Sequence, residues 1–148
     1  MSKPCILLGS SWEEEEKMVS SIYKEFPNFQ FIIAPHDISS NRINYIQQLF
    51  NEESALLSNG NLDDLPPVLI IDKIGILAEL YSISDIAIIG GGFKDKLHNI
   101  IEPAAKGNYI LFGPKHSRYP EASEMINANI ADSFSNQTEL KTRIRTVI

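Results

Sequence analysis

Cysteine and long apolar runs are scarce in this sequence. Its single cysteine, Cys5, lies in an apolar segment, which predicts a buried free thiol of the kind found in a reducing cytoplasm. A helix that spans a bilayer needs about 20 consecutive apolar residues, and no run approaches that length. The apolar stretch at the N-terminus is too short for a signal peptide. The sequence therefore predicts a soluble domain.

Positive charge is also in short supply. Lys and Arg number 13 against 19 Asp and Glu, which gives a formal net charge of −6. Nucleic-acid binding requires a basic face, so no nucleic-acid partner is expected. The histidines, at positions 36, 98 and 116, show no metal-ligand spacing such as His-x-x-x-His. We therefore expect no metal and no other cofactor.

The sequence does contain a regular alternation of short apolar runs and helical patterns. Its 148 residues correspond to one domain with a sizeable core. The apolar runs predict strands at residues 5–9, 29–35, 55–58, 68–72, 85–89, 109–113 and 129–131. The helical patterns cover residues 12–26, 40–50, 76–82, 99–106, 119–127 and 137–146.

Apolar strands separated by helices are typical of a parallel sheet covered on both faces. The predicted fold class is therefore α/β, with a doubly wound, Rossmann-like sheet. In such sheets ligands bind outside the carboxyl ends of the strands. Five loops should meet at that edge, namely residues 9–11, 35–37, 72–75, 90–99 and 113–116.

One of these loops begins with three consecutive glycines, residues 90–92. Glycines after a strand let the backbone approach a ligand closely and adopt positive φ. Asn99 lies where the next helix should begin, and a helix N-terminus offers unpaired N–H groups to an anion. Glu102, one turn further on, suits the hydroxyls of a ribose. The loop therefore predicts a nucleotide site, although it is not the Gly-x-Gly-x-x-Gly dinucleotide motif.

Each of these residues also has a purely structural explanation. The glycines could form a tight turn, Asn99 could be an N-cap, and Glu102 could be a first-turn acid that suits the helix dipole. His98 alone is typical of a loop histidine. The site prediction therefore depends on their joint occurrence.

The charged residues near this edge form two groups, one acidic and one basic. Four consecutive glutamates, residues 13–16, predict a solvated helix start, with Ser10 or Ser11 as its N-cap. The remaining loops carry positive charge that a phosphate and a second anionic group would need. These cations are Lys94, Lys96, Lys115 and Arg118.

Seven short motifs then occur in a fixed order. They are Gly9-Ser10-Ser11-x-Glu13, Ile33-Ala34-Pro35-His36, Ile71-Asp72-x-x-Gly75, Leu80-Tyr81-x-x-x-Asp85-Ile86-Ala87, Gly90-Gly91-Gly92-Phe93, His98-Asn99-x-x-Glu102-Pro103-Ala104 and Phe112-Gly113-Pro114. Together they resemble the C-terminal half of the bacterial 3-deoxy-D-manno-octulosonic acid (Kdo) transferases, which are lipid A glycosyltransferases of the GT-B fold. The resemblance spans residues 5–128, and the His-Asn-x-x-Glu-Pro motif is its most specific part.

This resemblance implies a division of labour between two domains. Residues 1–148 would form the donor-binding, C-terminal domain of an inverting, metal-independent transferase that uses CMP-Kdo. The N-terminal domain, expected to be missing here, would hold the lipid A precursor and supply the general base, so no catalytic residue is assigned. The isolated domain should bind CMP and transfer nothing. The parent enzyme would act at the cytoplasmic face of the bacterial inner membrane.

The resemblance also implies roles for individual residues. Glu102 would hold the ribose, and Ile74 and Gly75 would line the cytosine. The phosphate or the sugar acid would lie near Asn99 and the backbone of Gly91 and Gly92. The remaining donor-site positions are matched by Ser10, Ser11, His36 and His98. Many family members have Pro-Arg-His where this chain has Pro35-His36-Asp37, so an expected guanidinium is missing.

Two alternatives remain at this stage. One is a related GT-B protein, either a UDP-sugar transferase or a UDP-N-acetylglucosamine 2-epimerase, which would prefer uridine to cytidine. The other is a non-catalytic, response-regulator-like interaction domain that binds no nucleotide. The second alternative predicts Mg²⁺-binding acids at the end of the first strand, where this sequence has Gly9, Ser10 and Ser11.

Overall fold

A seven-stranded sheet forms the centre of the part described by the computed structural model, which comprises residues 3–60 and 63–147. All of its paired strands are parallel. The strands are β1 (Cys5–Ser11), β2 (Gln30–Pro35), β3 (Ser54–Leu56), β4 (Val68–Ile70), β5 (Ile86–Ile89), β6 (Tyr109–Phe112) and β7 (Ala131–Ser133).

Six α-helices cover the two faces of this sheet in the described ranges. They are α1 (Glu13–Ile22), α2 (Ser40–Phe50), α3 (Leu77–Ile83), α4 (Ile101–Ala105), α5 (Pro120–Asn127) and α6 (Gln137–Val147). Apolar side chains of α1, α2 and α6 pack in one core layer, and those of α3, α4 and α5 pack in the other. Alternate residues of β1 pack into the two layers: Ile6 and Leu8 into the first, and Leu7 into the second. The predicted doubly wound fold is confirmed.

The strand order predicts a ligand site at the carboxyl ends of β1 and β5. The order is β3-β4-β2-β1-β5-β6-β7, so the chain runs outward from β1 through β2 and then returns to β5 on the other side. The crevice between β1 and β5 is therefore the topological switch point, where sheets of this kind bind ligands at the carboxyl edge.

The first strand is longer than the apolar pattern predicted. It continues to Ser11, which pairs with Pro35 of β2 after a register shift. Neither Ser10 nor Ser11 can therefore cap α1, and that prediction was wrong. Trp12 occupies the N-cap position, and its backbone N–H donates to the Glu15 side chain at 2.7 Å.

No helix in residues 3–60 or 63–147 is both long enough and apolar enough to cross a bilayer.

Candidate functional site

A cleft of about 850 Å³ opens where β1, β2 and β4 end. It brings together five of the predicted site residues, which are Ser10, Ser11, His36, Ile74 and Gly75. Ile74 is 84% exposed, and no other group lies within 4 Å of the position that a Cβ would take on Gly75. This side of the cleft therefore has room for a ligand.

The other predicted residues lie around the start of α4. A smaller hollow of about 190 Å³ there is lined by His98 and Asn99, whereas Gly91, Gly92 and Glu102 line neither cavity. His98 connects the two groups, because its ring centroid lies 4.6 Å from that of His36.

Trp12 contacts both His36 and His98, and no sequence pattern predicted it as a site residue. Its indole stacks on His36 with ring centroids 4.7 Å apart, and its Nε1–H donates to Nε2 of His98 at 3.2 Å. The ammonium of Lys94 lies 5.4 Å from the Trp12 ring centroid, within cation–π range. Burial, together with the neighbouring His36, lowers the pKa of His98.

Two of the four consecutive glutamates are fully buried, so the predicted solvated helix start is wrong for Glu15 and Glu16. The backbone N–H of Trp12 donates to Oε1 of Glu15 at 2.7 Å. Burial raises the pKa of Glu15 to about 7. One oxygen of this carboxyl, Oε2, is buried without a partner in the described segments.

Glu16 holds the carboxyl end of β1 in place. It accepts a hydrogen bond from the Ser11 hydroxyl at 2.7 Å and another from Nη2 of Arg42 at 2.6 Å. The hydroxyl of Ser11 is therefore committed to an internal bond. Burial raises the pKa of Glu16, while Arg42 and Ser11 oppose that shift.

Arg42 supplies a guanidinium that the loop after β2 lacks. It extends from α2 to line the cleft, and its Nη1 has no partner in the ranges that the structure covers. No local pattern indicated this placement, because Arg42 lies six residues beyond His36 on a helix. The cleft also contains Lys73, likewise not predicted. Of the predicted cations, Lys94 is paired with Glu14 at 3.3 Å.

The three glycines allow the carboxyl ends of neighbouring strands to pack closely. A Cβ on Gly90 would lie 2.1 Å from the carbonyl oxygen of Ser10, and one on Gly92 would lie 2.6 Å from the nitrogen of Gly113. Gly91 has a φ of +96°, and a Cβ there would lie 2.0 Å from the carbonyl oxygen of Lys96. The predicted tight turn is thus confirmed, and ligand contact by Gly91 and Gly92 stays a prediction.

Asn99 precedes the N-cap position of α4, which is Ile100, but its side chain caps the start of the helix much as the alternative explanation proposed. Its Oδ1 accepts from the backbone N–H groups of Ile101 at 2.8 Å and Glu102 at 3.3 Å. Those two N–H groups are therefore not free for an anion. The carboxylate of Glu102 is exposed, and it has no hydrogen-bond or ion-pair partner among the residues described. It can accept hydroxyl donors from a ligand.

Known proteins are similar to this chain over most of its length. The chain is 28% identical over 146 residues to the 3-deoxy-D-manno-octulosonic acid transferase of Aquifex aeolicus, covering 94% of this chain and 40% of that protein. It is 38% identical over 127 residues to the transferase of the same name from Chlamydophila psittaci, covering 82% and 29%. The chain is a homologue of the Kdo transferases. The resemblance predicted from the motifs is confirmed.

One further relative extends this result. A bifunctional glycosyltransferase/methyltransferase of Fusobacterium nucleatum is 28% identical over 147 residues, covering 94% of this chain and 23% of that protein. The chain therefore spans 23–40% of the length of these Kdo transferase homologues and their bifunctional relative. No family model matches the chain.

A solved structure shares the fold. The C-terminal CMP-Kdo binding domain of WaaA from Acinetobacter baumannii superposes with a TM-score of 0.84 at 18% identity, covering 99% of this chain and 80% of that one. The seven-stranded parallel sheet is thus the architecture of a GT-B C-terminal domain.

Proposed function

We propose that this chain binds CMP-Kdo as the donor half of a glycosyltransferase that adds Kdo to a lipid A precursor in lipopolysaccharide biosynthesis. One observation carries the proposal. A cleft of about 850 Å³ lies at the carboxyl edge of the sheet, in a chain that matches Kdo transferases over most of its length. The similar fold of a domain named for CMP-Kdo binding supports the choice of donor.

The residues of the cleft, together with Glu102 at the start of α4 outside it, suggest how the donor would be held. Ile74 and Gly75 leave one wall open for the cytosine, and the unpaired carboxylate of Glu102 would accept the ribose hydroxyls. Arg42 and Lys94 would attract the phosphate and the carboxylate of the sugar. Positive groups fixed in advance stabilise the charge that develops on the leaving CMP phosphate. No metal or other cofactor enters this proposal.

The acceptor and the general base are proposed to belong to a separate N-terminal domain. The relatives are at least 2.5 times as long as the matched segment, given that it covers at most 40% of them. Closure of that domain over the cleft would exclude water and align the acceptor hydroxyl. The chain by itself is then expected to bind donor without catalysing transfer. The parent enzyme would work at the cytoplasmic face of the inner membrane, where its lipid acceptor lies.

Competition calorimetry tests the choice of nucleotide. CMP should bind the chain more tightly than UMP or UDP. Preference for UDP would instead identify a UDP-sugar transferase or epimerase of the same fold. If none of the three binds at millimolar concentration, the donor-binding proposal is wrong for this chain.

Replacing Glu102 with alanine should weaken CMP binding by about 1.5–3 kcal/mol, the range for hydrogen bonds to a charged group. The reason is that the ribose hydroxyls lose their carboxylate acceptor. Glu124→Ala is the matched control, because it removes the same charge from an exposed position of a different helix, α5. Equal affinities of the two variants would remove Glu102 from the site.

A further inference from the structure

We propose that Trp12 is a positioning residue that holds His98 as a neutral imidazole with its proton on Nδ1. The indole Nε1–H can only donate a hydrogen bond. It lies 3.2 Å from Nε2 of His98, and the two ring planes differ by 21°, which suits a bond in the plane of both rings. Nε2 must therefore present a lone pair. The proton of the neutral ring then resides on Nδ1.

The surroundings of His98 favour this ring orientation. Turning the ring over would place Cε1–H against the indole N–H and leave that donor without an acceptor. The backbone of His98 is fixed as well, since its N–H donates to the carbonyl of Gly90 at 3.1 Å. His36 lies against both rings, at 4.7 Å from Trp12 and 4.6 Å from His98.

Burial of the ring, and after it the neighbouring His36, disfavour a second proton on His98. A proton on Nε2 would face the indole N–H and would lie close to His36, at the end of β2. Lys94 adds a positive charge over Trp12, partly offset by Glu14. The other charged groups of the cleft are Glu13, Asp37, Arg42 and Lys73, and Glu121 lines the smaller hollow with His98. Together, burial and His36 lower the pKa of His98.

The arrangement gives His98 a defined task at the site. Its Nδ1–H has no hydrogen-bond partner within residues 3–60 and 63–147, and His98 lines the smaller hollow beside Asn99. The ring thus offers a neutral donor to a phosphate or carboxylate oxygen. This last step rests on the proposed function, whereas the tautomer itself does not.

Nitrogen-15 NMR of the histidine side chains tests the tautomer directly. At pH 8 the native chain should show His98 protonated on Nδ1. Trp12→Phe keeps an aromatic ring against His36 but removes the N–H donor, so His98 should shift toward the Nε2–H form and its pKa should rise. His116 serves as an internal control, because it packs on Phe112 instead.

An Nε2–H form of His98 in the native chain would overturn the proposed tautomer, whether or not the Trp12→Phe variant folds. An unchanged tautomer and pKa in folded Trp12→Phe would also contradict it, since Trp12 would then not be the group that sets them.

The donor role is tested with two amide replacements. His98→Asn places an N–H close to the position of Nδ1, and His98→Gln places it close to that of Nε2. The Asn variant should bind CMP within about threefold of the native chain, while the Gln variant should lose about tenfold, as for one hydrogen bond. Equal affinities would exclude the donor role. Failure of the native chain to bind CMP would overturn the proposed function. The NMR test of the His98 tautomer would remain valid, because it needs no ligand.

Discussion

Alanine at position 91 should destabilise the protein severely. Gly91 has a φ of +96°, and the added Cβ would lie 2.0 Å from the carbonyl oxygen of Lys96. That neighbour is backbone and cannot move aside as a side-chain tip could. An unfavourable φ and an overpacked contact cost about 1–3 kcal/mol each. We therefore expect Gly91→Ala to lose about 2–6 kcal/mol of unfolding free energy in urea titrations followed by circular dichroism.

Gly107 provides the matched control for this substitution. It has a similar φ of +91°, but nothing lies within 4 Å of its Cβ position. Gly107→Ala thus carries the backbone cost alone, at about 1 kcal/mol. Equal losses in the two variants would show that the close contact between Gly91 and Lys96 is not what requires glycine.

The second large effect is expected from Glu15→Gln and depends on pH. The folded protein raises the pKa of Glu15 from 4.5 to about 7, so the native state binds this proton more tightly than the unfolded chain does. Stability must then fall as the pH rises from about 4.5 to about 7. The shift corresponds to about 3 kcal/mol. Glutamine imitates the neutral acid, so the variant should match the native chain at pH 4 and exceed its stability by up to that amount at pH 8.

The measurement is the difference in unfolding free energy between variant and native chain across pH 4–8. Other titrating groups are common to both proteins, including His98, whose lowered pKa makes stability fall toward acid pH. Their contributions therefore cancel in the difference. Glu13→Gln, which removes a carboxylate from an exposed position of the same helix, is the matched control. A constant difference for Glu15→Gln would contradict the raised pKa.

The fold could be predicted well because its strands are short apolar runs and its helices have clear ends. The helix predicted at residues 40–50 is Ser40–Phe50 in the structure, and the weak pattern at residues 55–58 corresponds to Ser54–Leu56. The end of β1 was missed because Ser10 and Ser11 are polar. Their place in the strand depends on pairing with β2, which no local pattern shows.

The candidate site could be predicted only in part, because its remaining contacts join distant positions. Glu16 is buried because Arg42, 26 residues further on, neutralises it, whereas a run of four acids indicates exposure. Trp12 reaches His98 across 86 residues. The glycines were correctly assigned to a loop at the carboxyl edge, but their close approach to Ser10 and Gly113 depends on the strand order.

The central claim is that this carboxyl edge binds a cytidine nucleotide. Backbone amide NMR during titration with CMP tests it most directly, because every loop of the edge reports separately. Changes in amide chemical shift are expected to cluster at Gly75, Gly91, Asn99 and Glu102. None is expected in the separate hollow lined by Tyr23 and Glu53. Shifts confined to that hollow, or no shifts at millimolar CMP, would contradict the account.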